Sequence, residues 1–127
     1  MAVTAISYSR SAKYRQVKVL KTIVRIDNVG VFKSGVAKAI DLDKVNLIYA
    51  DNARGKSTLS AIFAACSEGD EAQILQRRTV SAATTPNIHF RFQSSTGGFT
   101  RQFDGTVWKG ATPNLYVFSQ DFVSKNV

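Results

Sequence analysis

A glycine, a lysine and a serine stand together at positions 55 to 57, inside the segment IYADNARGKSTLSAIF of residues 48–63. Glycine lets backbone N–H groups turn toward an anion, lysine carries a mobile positive charge, and a serine hydroxyl is an oxygen ligand for Mg²⁺. Where such a loop opens a helix, the helix dipole adds positive potential. The segment therefore predicts a site for the phosphates of a nucleotide. Its predicted nucleotide-binding residues are Asp51, Asn52, Ala53, Arg54, Gly55, Lys56, Ser57 and Thr58.

Two elements must hold this loop, a strand before it and a helix after it. Residues 42–49 end in a short apolar run that is typical of a buried strand. After the loop, one apolar helix stripe is predicted from Leu59, Ile62, Phe63 and Cys66, with Gly69 at the helix end. A plain strand–helix connection with a surface lysine and serine is the alternative. The order of strand, loop and helix favours the phosphate site.

The loop matches a known pattern only in part. Against G-x-N-G-x-G-K-S/T, the matches are Asn52, Gly55, Lys56 and Ser57, with Ala50 and Ala53 at the other glycine positions. If position 53 requires a positive φ, alanine there costs about 1 kcal/mol, which weakens phosphate binding by about tenfold. We therefore expect a site that is weakened but functional.

These motifs resemble those of a family. The loop, with VRIDNVGVFKSG upstream, resembles the ABC-type ATPases of the structural-maintenance-of-chromosomes and RecF kind. With the segment LYVFSQDFVSKNV, residues 17–127 are similar to the N-terminal lobe of AAA-family ATPases related to the PrrC and RloC anticodon nucleases. The resemblance implies an α/β fold: a P-loop NTPase (ABC-type) N-terminal lobe with antiparallel β segments, and an incomplete one.

The resemblance also implies ligands and partners. ATP and Mg²⁺ would be the cofactors, with Ser57 and Gln120 as ligands of the metal. Lys33 and Ser34 would lie beside the nucleotide, although a surface turn is an equal alternative. A C-terminal ATPase lobe or a second ATPase head would be the partner. The complete form would couple ATP binding and hydrolysis to action on DNA or RNA.

Hydrolysis requires groups that the sequence does not place suitably. ABC-type hydrolysis uses an aspartate and a glutamate after an apolar strand, and a serine–glycine signature at a helix start. Residues 95–99 imitate that signature, but they lie between segments of strand periodicity, so a hairpin turn is predicted. Asp121 follows an apolar run without an adjacent glutamate. We expect no hydrolysis by this chain alone. We interpret it as an isolated N-terminal lobe: a truncated reading frame, a split subunit or a fragment.

Positive charge is concentrated near the start of the chain. The formal net charge is +8. The basic residues before the first acid-rich stretch are Arg10, Lys13, Arg15, Lys18, Lys21, Arg25, Lys33 and Lys38. Residues 1–16 are predicted to be a basic flexible arm, and residues 17–127 a partial ATP-binding domain. Since clustered basic residues attract DNA or RNA phosphates, the alternative function is a basic nucleic-acid-binding or interaction module with a vestigial loop. A solvated arm together with the outward face of a strand is the plainer interpretation of the same residues.

Composition indicates the cellular setting. Cys66 is the single cysteine, which excludes an internal disulfide and suits a reducing compartment. No apolar run approaches the ~20 residues that span a bilayer, so no membrane partner is expected. The prediction is a cytoplasmic protein.

The remaining periodicity predicts mostly strands. Strands are expected over residues 17–26, around residues 88–92, over 99–103 and 106–109, and over 115–118, with a short helix or ordered connection over 70–78. Asp104-Gly105 predicts a two-residue hairpin. The only histidine, His89, has no partner for a His-based metal site or triad. Packing in the core, rather than stacking on bases, is predicted for Phe99, Phe103 and Trp108.

Overall fold

Two antiparallel sheets and two helices form the part of the chain that the computed structural model describes, namely residues 2–7, 19–34, 40–43, 45–49, 55–113 and 115–118. In chain order the elements are β1 (Ala2–Ser7), β2 (Val19–Val29), β3 (Phe32–Ser34), β4 (Ile40–Asp41), β5 (Val45–Tyr49), α1 (Lys56–Glu68), α2 (Glu71–Gln76), β6 (Asn87–Ser94), β7 (Gly97–Phe103), β8 (Trp108–Gly110) and β9 (Leu115–Phe118). This mixed α/β architecture with antiparallel pairing confirms the coarser part of the predicted fold class.

The larger sheet has six strands in the order β3-β2-β6-β7-β8, with β4 also paired to β2. Strand β6 buries Ile88, Phe90 and Phe92 on one face, as its alternation predicted. A tight turn connects β6 to β7, so residues 95–99 belong to a hairpin and not to a helix start. The resemblance of these residues to a signature motif is therefore coincidental.

The smaller sheet has the order β5-β1-β9. Strand β1 is antiparallel to both neighbours, with Ile6 opposite Val45 and Ser7 opposite Leu115. It follows that β5 and β9 run parallel to each other on either side of β1. The sheet thus fixes β5, the strand that leads toward the GKS segment.

Helix α1 is packed against both sheets. Its buried side chains include Ile62, Phe63 and Cys66, and the Phe63 and Phe90 rings have centroids 5.6 Å apart. On its other side α1 contacts β9 and β1. Burying one such phenylalanine stabilises the fold by about 1.5–3 kcal/mol, so this stripe anchors the helix whose first turn carries Lys56.

Most local predictions agree with the structure. Helix α1 ends before Gly69, which has φ 70°, and a short second helix follows over Glu71–Gln76. Strand β9 has the predicted bounds, and Phe103 and Trp108 are buried in the core, with Phe99 packed against it.

Three local predictions were wrong in detail. Ala2–Ser7 form a strand, whereas residues 1–16 were expected to be an arm; residues 8–18 lie outside the described residues. Strand β2 continues past residue 26, its predicted end, to Val29, and its pairing with β6 contains two register shifts. The Asp104-Gly105 hairpin is longer than two residues, since β8 resumes only at Trp108. The Asp104 carboxylate accepts hydrogen bonds from the Thr106 and Val107 N–H groups and so closes this wider turn.

Candidate functional site

Gly55 begins the helix and is held in a conformation that suits glycine. Its φ is 91° and its ψ is 10°, in the left-handed region that L side chains rarely adopt. A Cβ at this position would lie 2.8 Å from Phe32 Cζ and 2.9 Å from Val31 Cγ2. Both the backbone angle and the space therefore require glycine at position 55, the one glycine of the loop pattern that this sequence retains.

The first turn of α1 brings backbone N–H groups, a lysine and a serine together. The cap residue Gly55 has no side chain to cap this helix end, and no acidic residue lies in its first turn. The first helical hydrogen bond runs from the Leu59 N–H to the Gly55 carbonyl, at 2.8 Å, so the preceding N–H groups have no acceptor within the helix. Lys56 is largely buried, with 7% of its surface exposed, and Ser57 is exposed. A partly enclosed cation, backbone donors and an exposed hydroxyl thus meet at one helix end.

The β2–β3 turn (residues 28–32) lies against this helix end. A Cβ on Gly30, whose φ is 56°, would lie 2.6 Å from Thr58 Oγ1, so the turn and the helix are in close contact. The side chain of Thr58 is buried against the turn. Lys33 is exposed just beyond the turn, and the side chain of Ser34 is outside the described residues. Their contact with a nucleotide stays a prediction.

Other predicted site residues cannot be placed. Residues 51–54 and Gln120 lie outside the described residues, as does Asp121. Among the residues that the structure does describe, no cluster of histidine, cysteine, aspartate or glutamate has the composition of a metal site. Ser57 lies exposed in the first turn of α1, and its role as an oxygen ligand of Mg²⁺ stays a prediction.

Arg101 is a structural residue that the sequence analysis missed. It lies on β7 with 5% of its surface exposed. Its Nε donates to the Cys66 carbonyl at 3.3 Å, its Nη1 donates to the Gly110 carbonyl at 2.9 Å, and its Cζ lies 5.4 Å from the Trp108 ring centroid. The cation thus sits at the C-terminal end of α1, where the helix dipole is negative. Arg101 alternates along the strand in step with Phe99 and Phe103, and this spacing could have indicated that its side chain points inward.

Cys66 and His89 do not form a second reactive site. Burial raises the pKa of the Cys66 thiol to about 12, and the nearby Arg101 only partly offsets this, so the thiol stays protonated. The pKa of His89 is lowered mainly by partial burial and also by the positive charges of Arg91 and Arg25. Position 66 is a core position, as predicted.

Replacement of Gly55 by alanine should lower the free energy of unfolding by about 2 kcal/mol, about half from strain and half from displacing Val31 and Phe32. Gly69→Ala is the matched control, because Gly69 has a left-handed φ of 70° but only an ordinary contact, 3.5 Å from Arg101 Nη2. It should cost about 1 kcal/mol. Urea unfolding of both variants measures the difference. Equal losses of unfolding free energy in the two variants would show that Val31 and Phe32 move aside from position 55 without cost.

A family model described as an AAA domain matches residues 28–127, which is most of the chain and includes the β2–β3 turn, the GKS segment and β9. No curated protein and no solved structure matches significantly. None of the described helices has the length and apolar character needed to cross a membrane.

Proposed function

We propose that this chain, which belongs to the AAA domain family, binds Mg-ATP at the start of α1. Membership of this AAA-like ATPase family supports nucleotide binding in general terms. The observation that carries the proposal is the helix start at a left-handed Gly55, which has no capping side chain, with Lys56 largely buried beside it. A structural lysine on an ordinary helix would not require the left-handed glycine and the close-packed turn that precede it.

Each part of the site has a distinct task in this proposal. The N–H groups at the start of α1 donate to phosphate oxygens, and the helix dipole favours the negative charge. Lys56 places its ammonium on the β- and γ-phosphates as a point charge. Bound Mg²⁺ would neutralise further phosphate charge, with the Ser57 hydroxyl as one of its oxygen ligands. The β2–β3 turn supports the helix end from the side.

The finer proposal is an ABC-type lobe of the structural-maintenance-of-chromosomes kind. In this proposal a C-terminal ATPase lobe or a second ATPase head supplies the glutamate and the signature motif that hydrolysis needs. The sequence motifs around residues 29–35 and 115–127 support the assignment, and the family match spans both. A reducing, cytoplasmic location accords with the buried, unpaired Cys66.

Titration of the purified chain with a fluorescent ATP analogue tests the proposal. We expect saturable binding that strengthens when Mg²⁺ is added, because the metal offsets repulsion among the phosphates. ATP should compete with the analogue, and AMP, which lacks the β- and γ-phosphates, should not. Failure to saturate, or equal competition by AMP, would overturn the assignment.

Ala53→Gly should tighten Mg-ATP binding by about tenfold if the phosphate-binding loop needs a positive φ at position 53. Ala50→Gly is the matched control and should change affinity less, because the resemblance indicates that alanine is tolerated at that position. Glycine also loosens the unfolded chain, so the melting temperature should fall while affinity rises. Calorimetric titration and melting of both variants measure this. Unchanged or weaker binding by Ala53→Gly would mean that the loop is fitted to alanine.

A second candidate function is binding of DNA or RNA by the basic N-terminal region. The observation in its favour is exposure: of the basic residues in that region, Lys21, Arg25 and Lys33 are described and all three are exposed. Exposed lysine and arginine attract phosphates, and of these three Arg25 already pairs with Asp27 at 3.6 Å. Such binding would fit a complete protein that couples ATP to action on nucleic acid, or a module in which the ATP site is vestigial. The ATP titration separates these two cases.

A further inference from the structure

We propose that Thr79 is a positioning residue of the nucleotide site, which sets the affinity for Mg-ATP without touching the nucleotide. The inference rests on the proposed function. Thr79 follows α2 in the segment of residues 77–84, away from the GKS motif in sequence, and nothing in the loop pattern points to it. Its role follows from how this segment holds the β2–β3 turn.

Three hydrogen bonds join residues 77 and 79 of segment 77–84 to the turn. The Thr79 N–H donates to the Asn28 carbonyl at 2.9 Å, and its hydroxyl donates to the Gly30 carbonyl at 2.8 Å. In return, the Gly30 N–H donates to the Arg77 carbonyl at 2.6 Å. Thr79 is buried, with 8% of its surface exposed, so water does not readily replace these bonds.

The turn needs this support because its backbone is unusual. Asn28 has φ 58° and Gly30 has φ 56°, so two residues of the turn occupy the left-handed region. For a non-glycine residue such a conformation is costly and persists where surrounding contacts enforce it. The Asn28 amide donates to Thr84 Oγ1 at 2.6 Å, which adds a second attachment to segment 77–84. The segment therefore determines where the turn lies.

The β2–β3 turn then determines the position of the first turn of α1. Gly30 faces the Thr58 side chain, and Val31 and Phe32 face Gly55, each with too little room for one added carbon. Packing this close transmits small displacements, because interiors do not compress. Thr79 thus contacts Gly30, and Gly30 contacts the helix end that would bind phosphate.

Coupling of this kind must act in both directions. If the turn conformation favours Mg-ATP, then Mg-ATP favours the turn conformation by the same factor. The Gly30 and Thr79 amides, which donate across the junction, should therefore exchange with solvent more slowly when nucleotide is bound. A residue with a purely structural role would not show this response.

The experiment compares Thr79→Val, which replaces the hydroxyl by a methyl, with Thr79→Ser, which keeps the hydroxyl. Thr106→Val is the matched control, because the Thr106 hydroxyl also makes one hydrogen bond, to Asp104 at 2.8 Å, but within the β7–β8 turn and not to the β2–β3 turn. We expect Thr79→Val to weaken Mg-ATP binding by about five- to tenfold, the equivalent of one hydrogen bond. Thr79→Ser should remain within about twofold of the parent. Thr106→Val should change the melting temperature only.

The outcomes separate the two proposals. A parent chain that binds no Mg-ATP overturns the proposed function, and this inference with it. A parent that binds, with Thr79→Val binding equally well, overturns the positioning role alone. If Thr79→Val does not fold, amide exchange of the parent decides: protection of Gly30 and Thr79 by Mg-ATP, without protection of Thr106, supports the role. Exchange at Gly30 that is the same with and without nucleotide overturns it.

Discussion

Lys56→Ala should weaken the binding of Mg-ATP by about a hundredfold, since a hydrogen bond between charged groups contributes about 1.5–3 kcal/mol. The loss is larger than that of an exposed lysine because Lys56 is largely buried at the helix end, where water screens its charge less. At this magnitude a fluorescence titration should show no saturation over the range in which the parent saturates.

Lys21→Ala is the control for this result. Lys21 is exposed on β2, so the substitution removes the same charge and side chain from a different place. It should leave the Mg-ATP titration unchanged. Superimposable curves for the parent and Lys56→Ala, with both variants folded, would remove Lys56 from the site.

Arg101→Ala should lower the free energy of unfolding by about 3–4 kcal/mol, the largest loss of stability that we predict. The substitution leaves the Cys66 and Gly110 carbonyls without their donors and opens a cavity beside Trp108, and both effects are costly in a buried position. It also removes the cation from the C-terminal end of α1. Urea unfolding followed by Trp108 fluorescence measures the change, since Trp108 is the only tryptophan.

Two further variants at Arg101 separate charge from shape. Lysine keeps the charge but cannot donate along two directions as the guanidinium does, so Arg101→Lys should still lose about 1–2 kcal/mol. Methionine fills the space without hydrogen bonds. If Arg101→Met is as stable as the parent, then packing alone explains the arginine, and the two hydrogen bonds make no net contribution.

Features of the site that depend on neighbouring residues were predictable from sequence. The i, i+3, i+4 spacing of Leu59, Ile62 and Phe63 is a local property, and it placed α1 and therefore Lys56 at the helix start. The period-two pattern of Phe90 and Phe92 likewise placed β6. In both cases the side chains that decide the element lie within a few residues of one another.

Features that depend on distant residues were not predictable in this way. The two register shifts in β2 are set by its pairing with β6, so simple alternation, which places Leu20, Thr22 and Ile26 on one face, does not predict that Ile23 is buried with them. Thr79 acquires its role only because Gly30 lies beside it. Strand β1 forms because β5 and β9 provide partners, a fact that no local pattern in residues 2–7 contains.

The position of β1 between β5 and β9 has a consequence for how the molecule folds. Hairpins such as β6-β7-β8 close short loops and can form early, whereas β1 pairs with strands from the middle and the far end of the sequence. Closing such long loops costs entropy before any contact compensates for it, so these pairings form late. During synthesis the smaller sheet must wait until Leu115–Phe118 have left the ribosome. We therefore expect the pairing of β9 with β1, which joins strands from the two ends of the described chain, to be the last part of this sheet to form.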